Sequence, residues 1–121
     1  MAWKQTYSGL AFDLSNPQAD DVRLVDLSTT LSRTARFNGD TREFYSVGQH
    51  CVLASRIVAK PFKFDALLHD GAEGYLQDMA KPLKNHPRLG QAYRGAEQRI
   101  ERVIGEVFGV TFPFPQEVKE A

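Results

Sequence analysis

The feature that most constrains the fold is a long apolar stripe with helical spacing in the last third of the chain. Its members recur every three or four residues, which places them on one face of a helix. They are Leu89, Ala92, Tyr93, Ala96, Ile100, Val103, Ile104 and Val107. Gly109 follows the stripe and is typical of the residue that ends a helix. Because 121 residues suit a single domain with one core, this helix must form one wall of that core.

Three further helices are predicted upstream of the stripe, separated by Pro, Gly and polar turns. The first is expected over residues 20–33. The second begins after an N-cap at Ser46 and ends before Lys60-Pro61. The third is predicted to run without a break over residues 64–77. Residues 36–40 are expected to form a turn and residues 80–84 a loop or turn, so helices make up most of the chain.

The N-terminal residues 1–17 have a different character. They carry β-type residues and a turn at Ser8-Gly9, which predicts a short hairpin or extended flap. Trp3, Tyr7 and Phe12 are among the residues available to cover the core from this side. The expected fold class is therefore all-α, a compact helical bundle with a short N-terminal hairpin or flap.

Charge and hydropathy argue against two kinds of partner. Fifteen basic and fifteen acidic residues give no net field to attract a nucleic-acid polymer or anionic lipid. No apolar run approaches the length needed to span a bilayer, and the N-terminus lacks the pattern of a signal peptide. We therefore expect no membrane association and a cytoplasmic location. Cys51, beside Val52 and Leu53 in a helical pattern, is typical of a buried thiol.

A His-Asp pair in the third predicted helix is the feature that carries chemistry. His69-Asp70 follows an apolar run, and His50 lies on the helix before it. Glu73 falls four residues after His69 and three after Asp70, so a continuous helix would place these side chains on one face. Imidazole nitrogens with a carboxylate oxygen bind divalent ions without selecting one of them. The sequence therefore predicts a buried divalent-metal site.

Read in order, these residues resemble the HD-domain phosphohydrolases, in particular the group with the bacterial 5'-deoxynucleotidases and phage-type nucleotide phosphohydrolases. The matching segments are Thr6-Tyr7-Ser8-Gly9, Phe12-Asp13-Leu14, Arg36-Phe37, Phe44-Tyr45-Ser46-Val47-x-Gln49-His50, Leu67-Leu68-His69-Asp70-x-Ala72-Glu73-x-Tyr75-Leu76-x-Asp78 and Lys81-Pro82-Leu83-Lys84. They cover nearly the whole chain, which would make residues 1–121 a single HD domain.

The resemblance implies a metal centre and a catalytic group. His50, His69 and Asp70 would be three of four protein ligands of a divalent ion, which could be Mn, Co, Zn, Fe or Mg. Asp70 and Glu73 would be the catalytic residues, with Glu73 orienting or deprotonating a water molecule. The bound ion would lower the pKa of that water and stabilise charge on phosphoryl oxygens.

The resemblance also implies a nucleotide substrate and the residues that would bind it. Arg36 would grip a phosphate through its planar guanidinium group, and Phe37 would pack against the sugar or base. Asp78 would contact the sugar 3'-hydroxyl. Lys81 and Lys84 flank Pro82 and would reach substrate phosphates.

The fourth metal ligand of the family leaves the function open. It is an Asp in a Val-Lys-x-Ala-Asp motif, whereas this sequence ends with Val118-Lys119-Glu120-Ala121. We therefore expect a chain trimmed just before that Asp, or a degenerate chain that has lost it. The implied activity is hydrolysis of deoxynucleoside 5'-monophosphates to deoxynucleoside and phosphate. The alternatives are a triphosphohydrolase of the same fold and a catalytically incomplete nucleotide-binding or interaction module.

A homo-oligomer is a further possibility. The segment Phe112-Pro113-Phe114 would contribute apolar contact to it, and related proteins often assemble through helical faces.

Overall fold

The computed structural model describes residues 2–110, which are mainly α-helical behind a two-stranded antiparallel hairpin. The hairpin pairs β1 (Trp3–Gln5) with β2 (Ala11–Asp13). The helices are α1 (Leu24–Arg33), α2 (Val47–Ile57), α3 (Lys63–Leu68), α4 (Glu73–Leu76), α5 (Lys81–Lys84) and α6 (Leu89–Phe108). Short 3-10 turns cover Ala19–Asp21, Arg36–Gly39 and Lys60–Phe62. The predicted helical class with an N-terminal hairpin is confirmed.

The hairpin is fixed both to the core and to α1. Phe12 is fully buried and stacks on Tyr75, with ring centroids 3.9 Å apart. At the hairpin turn, the backbone N–H and the hydroxyl of Ser8 both donate hydrogen bonds to the buried Asp26 carboxylate, at 2.7 and 2.8 Å. The prediction that Trp3 and Tyr7 also cover the core was wrong, because both side chains are more than half exposed.

Helix α6 forms the wall of the core that its apolar stripe predicts. Ile100, Val103 and Ile104 are buried against residues from the hairpin, α1, α2 and α4. Gly109 ends the helix in the left-handed conformation, with φ of 72°, as expected. The predicted stripe extends too far at both ends, because Leu89 is 60% exposed and Val107 is 41% exposed.

The start of the first helix differs from the prediction. Residues 19–21 form a separate 3-10 turn, and Arg23 adopts an extended conformation before α1 begins at Leu24. Val22 was included in the apolar pattern of the first helix, and it is buried as expected. Its side chain reaches the core from extended backbone and not from a helix. Burial was predicted correctly here and backbone conformation was not.

The prediction of an unbroken helix over residues 64–77 was also wrong. Helix α3 ends at Leu68 and α4 begins at Glu73. Between them Gly71 N–H donates to the Leu68 carbonyl, three residues earlier, at 2.9 Å, a tighter turn than an α-helix makes. A Cβ atom on Gly71 would lie 3.2 Å from Ile104 Cδ1, so glycine lets this turn approach α6 closely. The break places His69 and Asp70 in a turn.

Residues 81–84, expected as a loop or turn, form the one-turn helix α5, in whose first turn Pro82 is well tolerated. Phe112-Pro113-Phe114 and Val118-Lys119-Glu120-Ala121 lie outside the described residues. Within residues 2–110 no helix has both the length and the apolar character that crossing a bilayer requires.

Candidate metal centre and anion-binding pocket

The capped start of α2 positions the first histidine. The Ser46 hydroxyl accepts a hydrogen bond from Gln49 N–H at 3.0 Å, and the Gln49 side chain accepts one from Ser46 N–H at 2.7 Å. This reciprocal capping box satisfies two backbone donors and fixes where the helix begins. His50 follows within the first turn of α2, so its position depends on this cap.

His50, His69 and Asp70 converge as predicted. Asp70 Oδ2 lies 3.6 Å from His50 Nε2 and 3.2 Å from His69 Nε2. One ligand atom from each residue lies within 4.8 Å of the others. Ligands bonded at about 2.0–2.2 Å to one ion are separated by roughly 3–3.5 Å, which these distances approach. The three residues could therefore hold a metal ion.

The backbone of α3 fixes which nitrogen of His69 can bind a metal. His69 Nδ1 lies 2.5 Å from the Ala66 carbonyl oxygen. A carbonyl only accepts hydrogen bonds, so Nδ1 carries the proton and Nε2 keeps its lone pair. Metal-binding histidines are commonly oriented in this way. The same Nε2 atom is the one that faces Asp70.

The surroundings of His50 favour its neutral form. Burial lowers the pKa of His50, and the positive charge of Arg36 lowers it further, against the opposing effect of Asp70. Since an imidazole must be unprotonated to bind a metal, this environment suits a ligand.

Glu73 adds a second carboxyl group beside that of Asp70 in the pocket. Its Oε2 atom is buried and has no hydrogen-bond partner among residues 2–110. Burial raises the pKa of Glu73 well above its ordinary value, and the charge of Asp70 raises it further. A buried carboxyl with an unsatisfied oxygen is costly to the fold and is common where proton transfer takes place. Glu73 can therefore hold or accept a proton at the pocket.

Arg36 and Phe37 reach the site from a strained loop. Arg36 N–H donates to the Tyr45 carbonyl at 2.8 Å, which joins the loop to the start of α2. Phe37 and Asn38 both have left-handed backbone, with φ of 57° and 55°. Such conformations are unfavourable for residues with a Cβ, and the surrounding contacts must maintain them. One such contact is Phe37 N–H to Asp78 Oδ2, at 3.2 Å.

All of the predicted site residues line one open pocket of about 790 Å³. They are His50, His69, Asp70, Glu73, Arg36, Phe37, Asp78, Lys81 and Lys84. The histidines and acidic residues come from α2 and the α3–α4 region, and the cations come from the residue 36–39 turn and α5. The broken helix does not separate Glu73 from Asp70, because the turn between them folds both toward the same pocket.

Two residues of α6 form hydrogen bonds to residues at or beside this pocket and were missed by sequence reasoning, which assigned the whole helix to scaffold. Lys84 Nζ donates to Glu97 Oε2 at 2.9 Å, and the Tyr93 hydroxyl donates to the Gln77 carbonyl at 2.6 Å. Their i, i+4 spacing shows that they share a face. The sequence does not indicate that Lys84 and Gln77 are their partners, because these residues lie outside α6.

Two curated proteins are similar to this chain, and no family model matches it. The chain is 41% identical over 110 residues to the uncharacterized protein YfdR of Escherichia coli, an alignment covering 91% of this chain and 60% of that protein. It is 31% identical over 129 residues to the uncharacterized protein RCAP_rcc00048 of Rhodobacter capsulatus, covering 99% of this chain and 65% of that protein. The chain thus spans less than two thirds of the length of these curated relatives.

Proposed function

We propose that this chain is an HD-domain metal-dependent phosphohydrolase that removes phosphate from nucleotides, with deoxynucleoside 5'-monophosphates as the expected substrates. The observation that carries the proposal is the convergence of His50, His69 and Asp70 in the pocket that Glu73 also lines, where the Glu73 Oε2 atom is buried with no hydrogen-bond partner among residues 2–110. A structural role alone would not require two histidines and two carboxylates around one opening.

The proposed division of labour follows the positions of the side chains. His50, His69 and Asp70 would hold a divalent ion, which when bound would lower the pKa of a water molecule and neutralise phosphoryl charge. Glu73 would exchange a proton with that water or with the leaving oxygen, because its carboxyl group lines the same pocket as the three ligands. Arg36, which lines the same pocket, would hold a phosphoryl oxygen through its guanidinium group.

The nucleoside would occupy the side of the pocket formed by Phe37 and Asp78. The Phe37 ring is 56% exposed, and Arg36 Cζ lies 4.4 Å from its centroid, so the ring presents an apolar surface beside the phosphate-binding cation. Asp78 has one oxygen committed to Phe37 N–H. Each carboxylate oxygen has two lone pairs, so the Asp78 carboxylate can also accept a hydrogen bond from a sugar hydroxyl.

The testing experiment measures metal content and phosphate release on the same samples. Purified chain would be analysed for bound metals, then assayed with deoxynucleoside mono- and triphosphates and with ribonucleotides, with Mn²⁺ or Co²⁺ added. We expect near one ion per chain and release of phosphate from the deoxynucleoside monophosphates. Release from triphosphates alone would favour the triphosphohydrolase alternative. Absence of both metal and turnover would overturn the proposal.

A further inference from the structure

We propose that Glu97 is a positioning residue that holds Lys84 as a fixed cation for an anionic, phosphate-like group in the pocket, with Tyr93 supporting the same wall. This inference rests on the proposed function and extends it to α6, which otherwise serves as scaffold.

Lys84 is held through both its side chain and its backbone. Its Nζ donates to Glu97 Oε2 at 2.9 Å and lies 5.6 Å from the centroid of the Tyr93 ring. The Arg94 guanidinium donates to the Lys84 backbone carbonyl. Gly90 makes this approach possible, because a Cβ there would lie 1.8 Å from the same carbonyl oxygen. Lys84 is therefore not a freely moving surface charge.

Lys84 lies where a fixed ammonium group could bind an anion in the pocket. It lines the pocket, and its side chain keeps 31% exposure despite the ion pair. An ammonium group has three N–H donors, and Glu97 uses one of them. Donors thus remain to meet an anion in the pocket, and a held lysine loses less side-chain entropy on binding than a mobile one.

Glu97 also competes with acidic groups at the metal centre. Burial lowers the pKa of Lys84, but the Glu97 hydrogen bond and the charges of Glu97, Glu73 and Asp70 outweigh this and leave the pKa above its ordinary value. Asp70 therefore competes with Glu97 for the ammonium group, whereas Glu73, whose pKa is raised by burial, carries little negative charge near neutral pH. Without Glu97, Lys84 would be drawn toward Asp70 and would leave the position from which it can meet a phosphate.

Tyr93 stabilises the neighbouring part of the wall. Gln77 has a positive φ of 72°, and the Tyr93 hydroxyl donates to its carbonyl at 2.6 Å. This hydrogen bond supports the strained residue directly before Asp78. One face of α6 therefore contacts the backbone before Asp78 and the Lys84 side chain.

The test uses inorganic phosphate as the probe and isothermal titration calorimetry on the full chain as purified. The variants are Glu97→Gln, Lys84→Met and the double variant, with Glu106→Gln as a matched control because Glu106 is an exposed glutamate of the same helix. Lys84→Met is expected to weaken phosphate binding about tenfold, the effect of one charge-assisted hydrogen bond. Glu97→Gln is expected to weaken it about three- to tenfold, and the double variant no more than Lys84→Met alone.

The outcomes separate this proposal from the proposed function. Phosphate affinity in Glu97→Gln equal to that in Glu106→Gln would overturn the positioning role, even if the wild-type chain hydrolyses nucleotides. Lys84- and Glu97-dependent phosphate binding without metal or turnover would support positioning and overturn the hydrolase. No phosphate binding by the wild type would overturn positioning. If Glu97→Gln does not fold, Glu97→Asp replaces it, because it keeps the charge but shortens the reach.

Discussion

Two concave surfaces formed by residues 2–110 are of comparable size and opposite chemistry. The first is the metal-centre pocket, about 790 Å³, which we call the polar pocket. The second, about 580 Å³, lies between α1, α2 and α3, and we call it the apolar groove. The groove is lined largely by aliphatic side chains, including Leu24, Leu31, Val52, Leu53 and Leu67.

The two surfaces differ in what they cost the fold. The polar pocket contains the left-handed residues Phe37 and Asn38 and the buried Glu73 Oε2 atom, which has no hydrogen-bond partner among residues 2–110, and all of these oppose folding. The apolar groove lies over residues that stabilise the core, such as Leu27 and Cys51. The volume of a concave surface therefore does not distinguish the candidate functional site. Strained backbone and unsatisfied polar atoms, which reduce stability, do distinguish it. Substitutions in the pocket should change chemistry, and substitutions in the groove should change stability.

The largest expected effect is on metal binding. Mutating a residue that only hydrogen-bonds to a metal ligand typically lowers metal affinity by ~10–100-fold. His69→Ala should lower it by more, because it removes a ligand itself. Leu67→Ala is the matched control, since Leu67 lies two residues earlier and lines the apolar groove. Elemental analysis should find metal in Leu67→Ala and not in His69→Ala. Equal metal content in both would contradict the assignment, and circular dichroism would check folding.

Glu73→Gln should have the next largest effect, on turnover. Loss of a general acid or base is expected to lower kcat by about 10²–10⁴-fold. Metal content should remain near that of the wild type, because Glu73 is not among the three grouped ligands. Steady-state phosphate release, with metal analysis of the same sample, measures both. Undiminished kcat would remove Glu73 from the catalytic role.

Gly48→Ala tests the groove and should reduce stability without affecting chemistry. A Cβ at Gly48 would lie 3.2 Å from the carbonyl carbon and oxygen of Leu31, so α1 and α2 would have to separate. We expect a loss of about 1–2 kcal/mol in the free energy of unfolding, after the gain in helix propensity. Gly95→Ala, whose Cβ would meet only Arg99 Nη1 at 3.4 Å, should gain about 0.5–1 kcal/mol. Urea unfolding of both variants measures the difference, and equal values would show that the helices are not packed this closely.

The pH dependence of the free energy of unfolding should measure how much the buried Glu73 carboxyl in the polar pocket destabilises the fold. In the metal-free chain the pKa of Glu73 is raised above its ordinary value of 4.5 when folded, so the folded state binds more protons than the unfolded state above that pH. The free energy of unfolding should therefore decrease as pH rises from about 5 to 8, by at most about 1.4 kcal/mol per pH unit from this group. Glu73→Gln should flatten the decrease. Identical slopes in chelator-treated wild type and variant would contradict the raised pKa.

The smallest expected effect is the lack of thiol reactivity at Cys51, beneath the groove. Cys51 is 2% exposed, and burial raises the pKa of its thiol to about 12. Almost no thiolate is present at pH 8, so a chromogenic disulfide reagent should react only on unfolding. Comparing reaction rates with and without denaturant measures this. Rapid reaction of the native chain would mean that the groove opens and exposes its floor.

The fold was predictable where local patterns and burial agree. The stripe of α6, the cap at Ser46 and the end at Gly109 follow from spacing and capping chemistry, which involve neighbours in sequence. The errors lie where distant contacts decide the backbone. Val22 is buried from an extended segment, and Gly71 turns the chain because α6 lies close to it.

For the candidate site, too, residue types were predictable from the sequence, whereas contacts between distant residues were not. The residue types and order of His50, His69-Asp70 and Glu73 are enough to indicate a metal site, because few other roles bring these groups together. The predicted continuous helix through His69, Asp70 and Glu73 was wrong, although all four residues still line one pocket. Asp78 was expected to contact a sugar, and its hydrogen bond to Phe37 N–H could not be inferred from the sequence.

The sequence by itself therefore determined the helical class, the main apolar face and the identity of the metal-binding candidates, because these depend on side-chain chemistry and short-range spacing. Only the tertiary structure decided how the chain turns at Gly71, which surface of α6 meets Lys84, and which of two concavities carries strained and unsatisfied groups. The physical reason is that these features arise from contacts between elements far apart in the chain. Their energies exceed the local preferences that a sequence pattern records.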